Sequence, residues 1–506
     1  MLASLLRNLI CPTPSLIHDL PDVADTSRRS LAELEKEVQG LFLGPVTIQH
    51  MLSMSSALRR QYRGKLQDSA ECMLPSYNHA LPTGTEQGDY LALDVGGSTM
   101  RVAIVQLKGR YRVEEAMRIE KMHVSTIDKT VRSLQGPLFF DWMAEKVEAM
   151  LREAGHGSEP TERPVPLGLT WSFPIEQTSS RSGKIQSMGK GFCGHHGTAG
   201  QDLGELLTAA CQRRRINVRV DAIINDSSGT LLSRAYTNPA ASMGLILGTG
   251  TNAAVHLPVS CLGPGKLGSR DVSWQEPNKR VIINTELSMF GQGVLPETRW
   301  DELLNRNCPM PDFQPLEYKT SGRYLGEILR LVVLEAVESA GLFDGVVPQS
   351  LFEAYSLDTI ILSRLEEDNS VNLLSSATYL EKVLGLRRTP SKDEVAFLRT
   401  TASCITQRAA AYLATALHAL WRLQKEIDMG NDLTEADSKT SIACNGSLIL
   451  KYPSFRSRCQ GHIAQLIAGD ATASGLAGTH EVMLEPTDEA AVLGAAVAVA
   501  LTKPQY

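Results

Sequence analysis

At 506 residues the chain is too long for a single core and calls for two or more domains. A hydrophobic share of 43% and a charged share of 21% are those of a globular protein and exclude a disordered chain. The net charge of −6 excludes nucleic acid as the main partner, because a phosphate backbone wants a basic face.

In chain order, the opening MLASLLRNLI is apolar with one arginine and reads as an amphipathic surface helix, with a weak organelle-targeting helix as the alternative. Residues 1–75 look helical, with helices near 28–42 and 46–64, and a Pro- and Gly-containing loop follows over 75–88. Residues 90–107 then read as two apolar strands around a Gly-Gly turn, and residues 165–173 as a further strand. The run Arg213, Arg214, Arg215 reads as a solvated helix end. A second strand pair hinged on glycines spans 243–256, similar in form to the first, which suggests an internal duplication of a phosphate-binding hairpin. Residues 323–340 read as a helix stopped by Gly341. Charge-rich stretches at 364–370 and 425–439 read as surface loops. Over 401–424, Ile405, Ala409, Tyr412, Leu413, Ala416, Leu417 and Leu420 share one helical face. The alanine-rich stretch 490–501 is shorter than the ~20 residues a membrane span needs, so it reads as a buried helix and no integral membrane segment is expected.

Nine scattered cysteines with no CxxC pair point to reduced thiols in the cytoplasm rather than to a disulfide framework or a zinc site. No HExxH helix and no GxxxxGK[ST] phosphate loop occurs, and no metal-ligand set is expected. The sequons at Asn225 and Asn445 are then accidental.

Four segments are able to carry chemistry. In the first, Asp94 to Arg101, Gly96 and Gly97 let backbone N–H groups approach phosphate oxygens. Ser98 and Thr99 add hydroxyl donors and Arg101 a charged fork. Asp94, at a strand end, is placed to hold Mg²⁺ through water. Gly248-Thr249-Gly250-Thr251-Asn252 repeats that logic, and two such loops suit a triphosphate. Either loop alone also reads as an ordinary tight turn. In the third, Asn225-Asp226 follows an apolar run. A carboxylate there suits a general base taking a proton from a sugar hydroxyl, and equally suits a helix N-cap. In the fourth, Lys190 is flanked by Gly189 and Gly191. Glu286 and Glu317 are candidates for accepting hydrogen bonds from sugar hydroxyls, or plain surface glutamates.

Together these segments resemble the hexokinase family from about residue 73 to the C-terminus. LALDVGGSTMR (91–101) resembles its first phosphate motif. Gly168 to Pro174, then Gln177-Thr178-Ser179 and Gly189-Lys190-Gly191-Phe192, resemble its sugar signature. Asn225-Asp226, Gly248 to Asn252, and Asn284-Thr285-Glu286 before Phe290-Gly291 continue in the family's order. Glu317, ahead of Tyr324-Leu325-Gly326-Glu327, resembles the second sugar glutamate. Gly446-Ser447 with Tyr452-Pro453 resembles the adenosine motif.

The resemblance implies an α/β chain with the actin-like ATPase (ribonuclease H-like) fold, two lobes around a deep cleft. It implies a helical N-terminal part over 1–84, a small lobe over 85–221, a large lobe over 222–483 and a returning helix over 484–506. It implies an ATP- and Mg²⁺-dependent hexose kinase acting on the 6-hydroxyl. Asp226 would be the base, with Lys190 beside it. Ser172, Lys190, Asn225, Asn252, Glu286 and Glu317 would bind the hexose. Gly97, Thr99, Arg101, Thr249, Gly446 and Ser447 would meet the nucleotide. Closure of the lobes would exclude water. Nothing in the pattern demands a dimer, so a monomer or a homodimer is expected.

The departures from the family pattern are Gly189 for Thr, Leu287-Ser288 for Trp-Gly, Ser98-Thr99 for Thr-Asn, Asn445 for Asp, and Ala490-Ala491-Val492 for Gly-Ser-Gly. Such divergence resembles fungal members that phosphorylate N-acetylglucosamine, and others that act as sugar-sensing regulators without catalysis. A smaller Gly189 and Leu287 would make room for a 2-acetamido group.

Overall fold

Two apolar runs flanking Gly96 and Gly97 fold back on each other, because a turn there lets Asp94 pair with Arg101 and Leu91 with Ile104. The computed structural model describes residues 29–111, 115–155, 163–186, 188, 191–268, 270, 274, 276, 279–429, 439–474 and 480–502. The strands in chain order are β1 (Leu74–Pro75), β2 (Gly88–Val95), β3 (Thr99–Leu107), β4 (Met117–Thr126), β5 (Val165–Trp171), β6 (Ile175–Gln177), β7 (Gly183–Ile185), β8 (Val218–Ile224), β9 (Ala241–Leu247), β10 (Thr251–Pro258), β11 (Arg280–Asn284), β12 (Lys439–Asn445) and β13 (Glu481–Pro486).

The chain divides into two units. One comprises residues 52–290, 414–451 and 459–506 and holds both large sheets. The five-stranded sheet runs β4-β3-β2-β5-β8, and the six-stranded sheet runs β1-β11-β10-β9-β12-β13. Both expected glycine-hinged hairpins are present, β2–β3 and β9–β10, each antiparallel and each at one centre of its sheet.

The alanine-rich C-terminal stretch forms the buried helix Ala490–Leu501, which packs on β2, β5 and the helix Asp226–Thr237. Small residues make that packing flush: a Cβ on Gly168 would collide with the Ala495 carbonyl. The other side of the five-stranded sheet is covered by helices Pro137–Glu153 and Leu203–Arg213, with Phe139, Phe140, Met143, Leu203 and Leu207 buried against Leu93, Val102, Leu167 and Leu169. The arginine run does end a helix: Arg213 pairs with Asp141 at 2.6 Å and Arg214 with Glu148 at 3.0 Å.

The other unit comprises residues 1–51, 291–413 and 452–458, and contains no strand among its described residues. Its helix Leu31–Leu43 starts on a capping box between Ser30 and Glu33. Gly341, at φ +68°, ends helix Gly322–Ala340, where sequence places the stop. Fully buried Arg408 donates to Asp301 at 2.5 and 2.8 Å and stacks on Phe42 at 4.4 Å.

The surface loops expected at 364–370 and 425–439 are corrected in part. Residues to Glu367 lie in helix Thr359–Glu367, and residues to Met429 in the long helix Lys392–Met429. Burial of one face, through Leu365 and the Ala-rich stripe ending at Leu423, carries both helices into their charged ends. Residues 430–438 and the apolar N-terminal decapeptide lie outside the described residues. No described helix is long and apolar enough to cross a membrane.

Candidate active site

Asp226 opens helix Asp226–Thr237, directly after β8. The helix N-cap reading of Asn225-Asp226 is met at Asn225. Asn225 is the N-cap, its side-chain oxygen accepting from the Ser227 N–H at 2.9 Å. Asp226 follows at the strand end, its Oδ1 accepting from the same Ser227 N–H at 2.8 Å and its Oδ2 from the Ser172 hydroxyl at 3.1 Å. Ser172 follows β5, the strand beside β8, so adjacent strand ends deliver the pair.

A chain of amide side chains leads away from Asp226. Asn252 Nδ2 donates to Asn225 Oδ1 at 3.3 Å and to Asn284 Oδ1 at 2.9 Å, and Asn284 Nδ2 donates to Glu286 Oε1 at 2.7 Å. The Asn252 side-chain Oδ1 accepts from Leu287 N–H at 3.3 Å, so this side chain meets residues on both sides of Glu286 in sequence, Asn284 and Leu287. Glu286 sits at φ +51°, a left-handed conformation that turns the chain sharply after β11. Four polar side chains from the ends of β8, β10 and β11 thus form one continuous line.

On the other side of Asp226, Asp94 accepts from Arg101 at 3.0 Å, and Arg101 Nε lies 3.1 Å from Glu489. Burial pushes the Asp94 pKa up to about 6 against the pull of Arg101; Asp226 and Glu489 add to the rise. Asp94 and Asp226 therefore share one electrostatic neighbourhood. The β2–β3 turn is closed by Gly96 N–H to Thr99 carbonyl at 3.0 Å, while Arg132 donates to the Gly97 carbonyl at 2.9 Å. Ser98, Thr249 and Ser447 are exposed.

The second hairpin turn lies against Gly446. At φ +116°, Gly446 adopts a backbone that side chains rarely permit, and a Cβ there would sit 2.9 Å from Gly248 N and collide with the Leu247 carbonyl. The parallel pairing of β9 with β12 brings Gly248 and Gly446-Ser447, far apart in sequence, to one spot.

Two hexokinase family models match the chain, over residues 44–236 and 242–501. The chain belongs to the hexokinase family. It is 29% identical over 489 residues to the hexokinase of Schwanniomyces occidentalis, covering 95% of this chain and 94% of that one. Against hexokinase-1 of Nicotiana tabacum the identity is 31% over 432 residues, 85% of this chain and 82% of the relative. The solved hexokinase from Schistosoma mansoni complexed with glucose matches with a TM-score of 0.76 at 28% identity, covering 94% of this chain and 100% of that chain. This family member thus has the actin-like ATPase fold and is a phosphotransferase acting on a sugar hydroxyl.

Within this hexokinase fold, Asp94, Arg101, Ser172, Asn225, Asp226, Asn252 and Glu286 come together in one linked set, and Gly96, Gly97, Ser98, Thr99, Gly248, Thr249, Gly446 and Ser447 occupy the turns. Glu317 lies in helix Pro315–Thr320 of the helical unit, where burial and the nearby Glu317 charge push the Tyr324 pKa up. Lys190 and Gly189 lie outside the described residues. Sequence reasoning named Asn284 only as part of a motif, without a role, and passed over Glu489. Asn284 carried a signal in its position two residues before Glu286. Glu489 carried none, because only the fold brings it to Arg101.

Proposed function

We propose that this hexokinase-family chain transfers the γ-phosphoryl group of ATP to the 6-hydroxyl of a hexose, with Asp226 as general base. The single observation that supports it most is the position of the Asp226 carboxylate. It is linked on one side to Ser172 and shares its field on the other with Asp94 and the phosphate hairpin.

In this reading Asn225, Asn252, Glu286 and Ser172, with Lys190 and Glu317, hold the sugar hydroxyls. Asp226 accepts the proton of the 6-hydroxyl as its oxygen attacks the γ-phosphorus; the bond to the β-phosphate oxygen breaks and ADP leaves. Gly96, Gly97, Ser98, Thr99 and Arg101 meet the phosphates from one hairpin, and Gly248, Thr249, Gly446 and Ser447 receive the nucleotide at the other. Residues 85–221 serve as the small lobe and 222–483 as the large lobe, with 484–506 returning to the small one.

Among the described residues no cluster of three or more His, Cys, Asp or Glu could cage a metal. Mg²⁺ is usually held by one or two carboxylates and the substrate phosphates, and the Asp94 carboxylate, in the field of Asp226, offers a donor of that type. Asp94, with Asp226 nearby, would hold it, and it would supply charge neutralisation on the phosphate oxygens.

The sugar accepted is glucose or an analogue such as N-acetylglucosamine. Leu287 is fully buried and tied through its N–H to Asn252, so its contribution to sugar choice acts through the set of the Glu286 turn. The test is ADP release by the purified protein with Mg-ATP and glucose, fructose, mannose or N-acetylglucosamine. Sugar-dependent turnover that falls about 10²–10⁴-fold in Asp226→Asn supports the reading. Sugar binding without any turnover makes the chain a non-catalytic sugar sensor instead.

A further inference from the structure

The backbone just before the left-handed turn at Glu286 is held by residues beyond the motifs quoted above. The residue before it, Thr285, is gripped twice. Its N–H and hydroxyl both donate to the Ala253 carbonyl, at 3.0 and 2.8 Å. Its own carbonyl accepts from the Met73 N–H at 3.1 Å. Met73 belongs to the short connection between helix Ile48–Asp68 and β1, the outermost strand of the sheet, which pairs Leu74 with Asn284 and Pro75 with Ile283. This connection is itself strained, because Met73 sits at φ +52° without being glycine.

One side chain holds it. Lys266 is only 6% exposed, yet it has no carboxylate partner among its hydrogen bonds; its ammonium donates to the carbonyls of Ser69 and Cys72. The Cys72 carbonyl and the Met73 N–H are the two ends of a single peptide group. A continuous relay therefore runs from Lys266 through peptide 72–73 to the Thr285 carbonyl, which is the other end of the Glu286 N–H peptide. Each hydrogen bond polarises the next. Lys266 is itself anchored: Gly263 N–H donates to Leu66 carbonyl at 3.0 Å, Gln67 Nε2 to Cys261 carbonyl at 3.1 Å, and a Cβ on Gly263 would collide with the Gln67 carbonyl. On the far side, the Cys72 thiol lies 3.7 Å from Met289 Sδ, three residues past Glu286.

We propose that Lys266 is a positioning residue for Glu286, holding peptide 72–73 so that the sugar-facing turn is preset before the substrate arrives. This rests on the reading of Glu286 as a sugar ligand. A buried ammonium on two carbonyls is otherwise a costly way to fasten a loop, and a charge-assisted grip supplies directional stiffness that an apolar contact lacks. Burial pushes the Lys266 pKa down to about 8. Among the described residues, the charged or titratable groups around it are Asp68 and Lys65 on the preceding helix, Cys72 on the connection, and Arg270 on its own segment, which stacks between Tyr77 and Trp274 and donates to the Pro75 carbonyl. Burial raises the pKa of the Cys72 thiol. Loss of the Lys266 charge above neutrality should loosen the turn.

The experiment is calorimetric sugar binding together with steady-state kinetics for the unmutated protein and Lys266→Met. The expected result is a sugar Kd and KM raised about tenfold in Lys266→Met, with the KM for ATP unchanged within about twofold. In the unmutated protein, sugar affinity should weaken between pH 7 and 9.5, and Lys266→Met should be flat over the same range. Sugar affinity that ignores both the substitution and pH overturns the proposal, as does an equal rise in the KM for ATP. If Lys266→Met does not fold, the pH series on the unmutated protein decides alone. A protein that binds none of the sugars overturns the functional reading and this proposal with it; sugar binding insensitive to Lys266 overturns this proposal only.

Discussion

Gly494 and Gly229 meet backbone to backbone where helix Ala490–Leu501 crosses helix Asp226–Thr237. A Cβ on Gly494 would collide with the Gly229 carbonyl, and one on Gly229 would lie 3.4 Å from the Ala491 Cα. Asp226 stands one helical turn before Gly229, so the spacing of the two helices sets the height of the carboxylate over the strand ends. Ala490-Ala491-Val492, in place of the family's Gly-Ser-Gly, continue this close-packed surface, with Ala491 also accepting from the Thr170 hydroxyl at 2.8 Å.

Gly494→Ala should therefore destabilise the protein by about 1–3 kcal/mol and lower kcat through displacement of Asp226. Gly461→Ala is the control: its Cβ would meet nothing within 4 Å, and alanine in a helix should be neutral or stabilising by about 0.5–1 kcal/mol. Denaturant midpoints and kcat for both variants check this; equal behaviour of the two would sink the crossing argument.

Asn284→Ala should raise the sugar KM by about tenfold, because it removes the acceptor of Asn252 and the donor to Glu286 in one step. The KM for ATP should hardly change. Steady-state kinetics with each substrate varied in turn makes the comparison.

Asp94 makes stability depend on pH with a definite sign. Its folded pKa of about 6 lies above the ordinary aspartate value of 3.8, so the folded state binds its proton more tightly than the unfolded chain. The associated stability is fully present below pH 3.8 and is lost as pH rises through 6. The difference in unfolding free energy between the unmutated protein and Asp94→Asn should fall by about 2–3 kcal/mol across that window. Chemical denaturation of both proteins at pH 4, 5, 6 and 7 reads it directly; a constant difference would exclude the titration.

Arg408→Met should cost about 3–5 kcal/mol, since it leaves the buried Asp301 carboxylate without its counter-charge. Arg152→Met removes an exposed pair with Glu148 on one helix and should cost under about 0.5 kcal/mol. The same denaturation assay, run on both, separates buried from exposed pairing.

Much of the site was legible because its residues are local in sequence. Glycines between two apolar runs can only make a turn, so both hairpins could be read, and Asn225-Asp226 after an apolar run could be placed at a strand end. The charged ends of the helices at 364–367 and 425–429 were misread as loops. Charge there reflects one exposed face of a helix whose other face is buried, and a charge count does not see faces.

The family, the α/β character, the two glycine-hinged hairpins, the Gly341 helix stop and the buried C-terminal helix were all readable from local chain signals, because each rests on periodicity, on glycine's freedom or on a motif within a few residues. The folded arrangement was needed to show that Arg101 pairs with Glu489, that Gly446 abuts Gly248, that Asn284 joins Asn252 to Glu286, and that Lys266 grips peptide 72–73. These contacts join segments brought side by side by strand order and helix crossing. Nothing in the local chain constrains which distant residue completes a hydrogen bond or fills the space left by a missing Cβ; packing of the whole unit does.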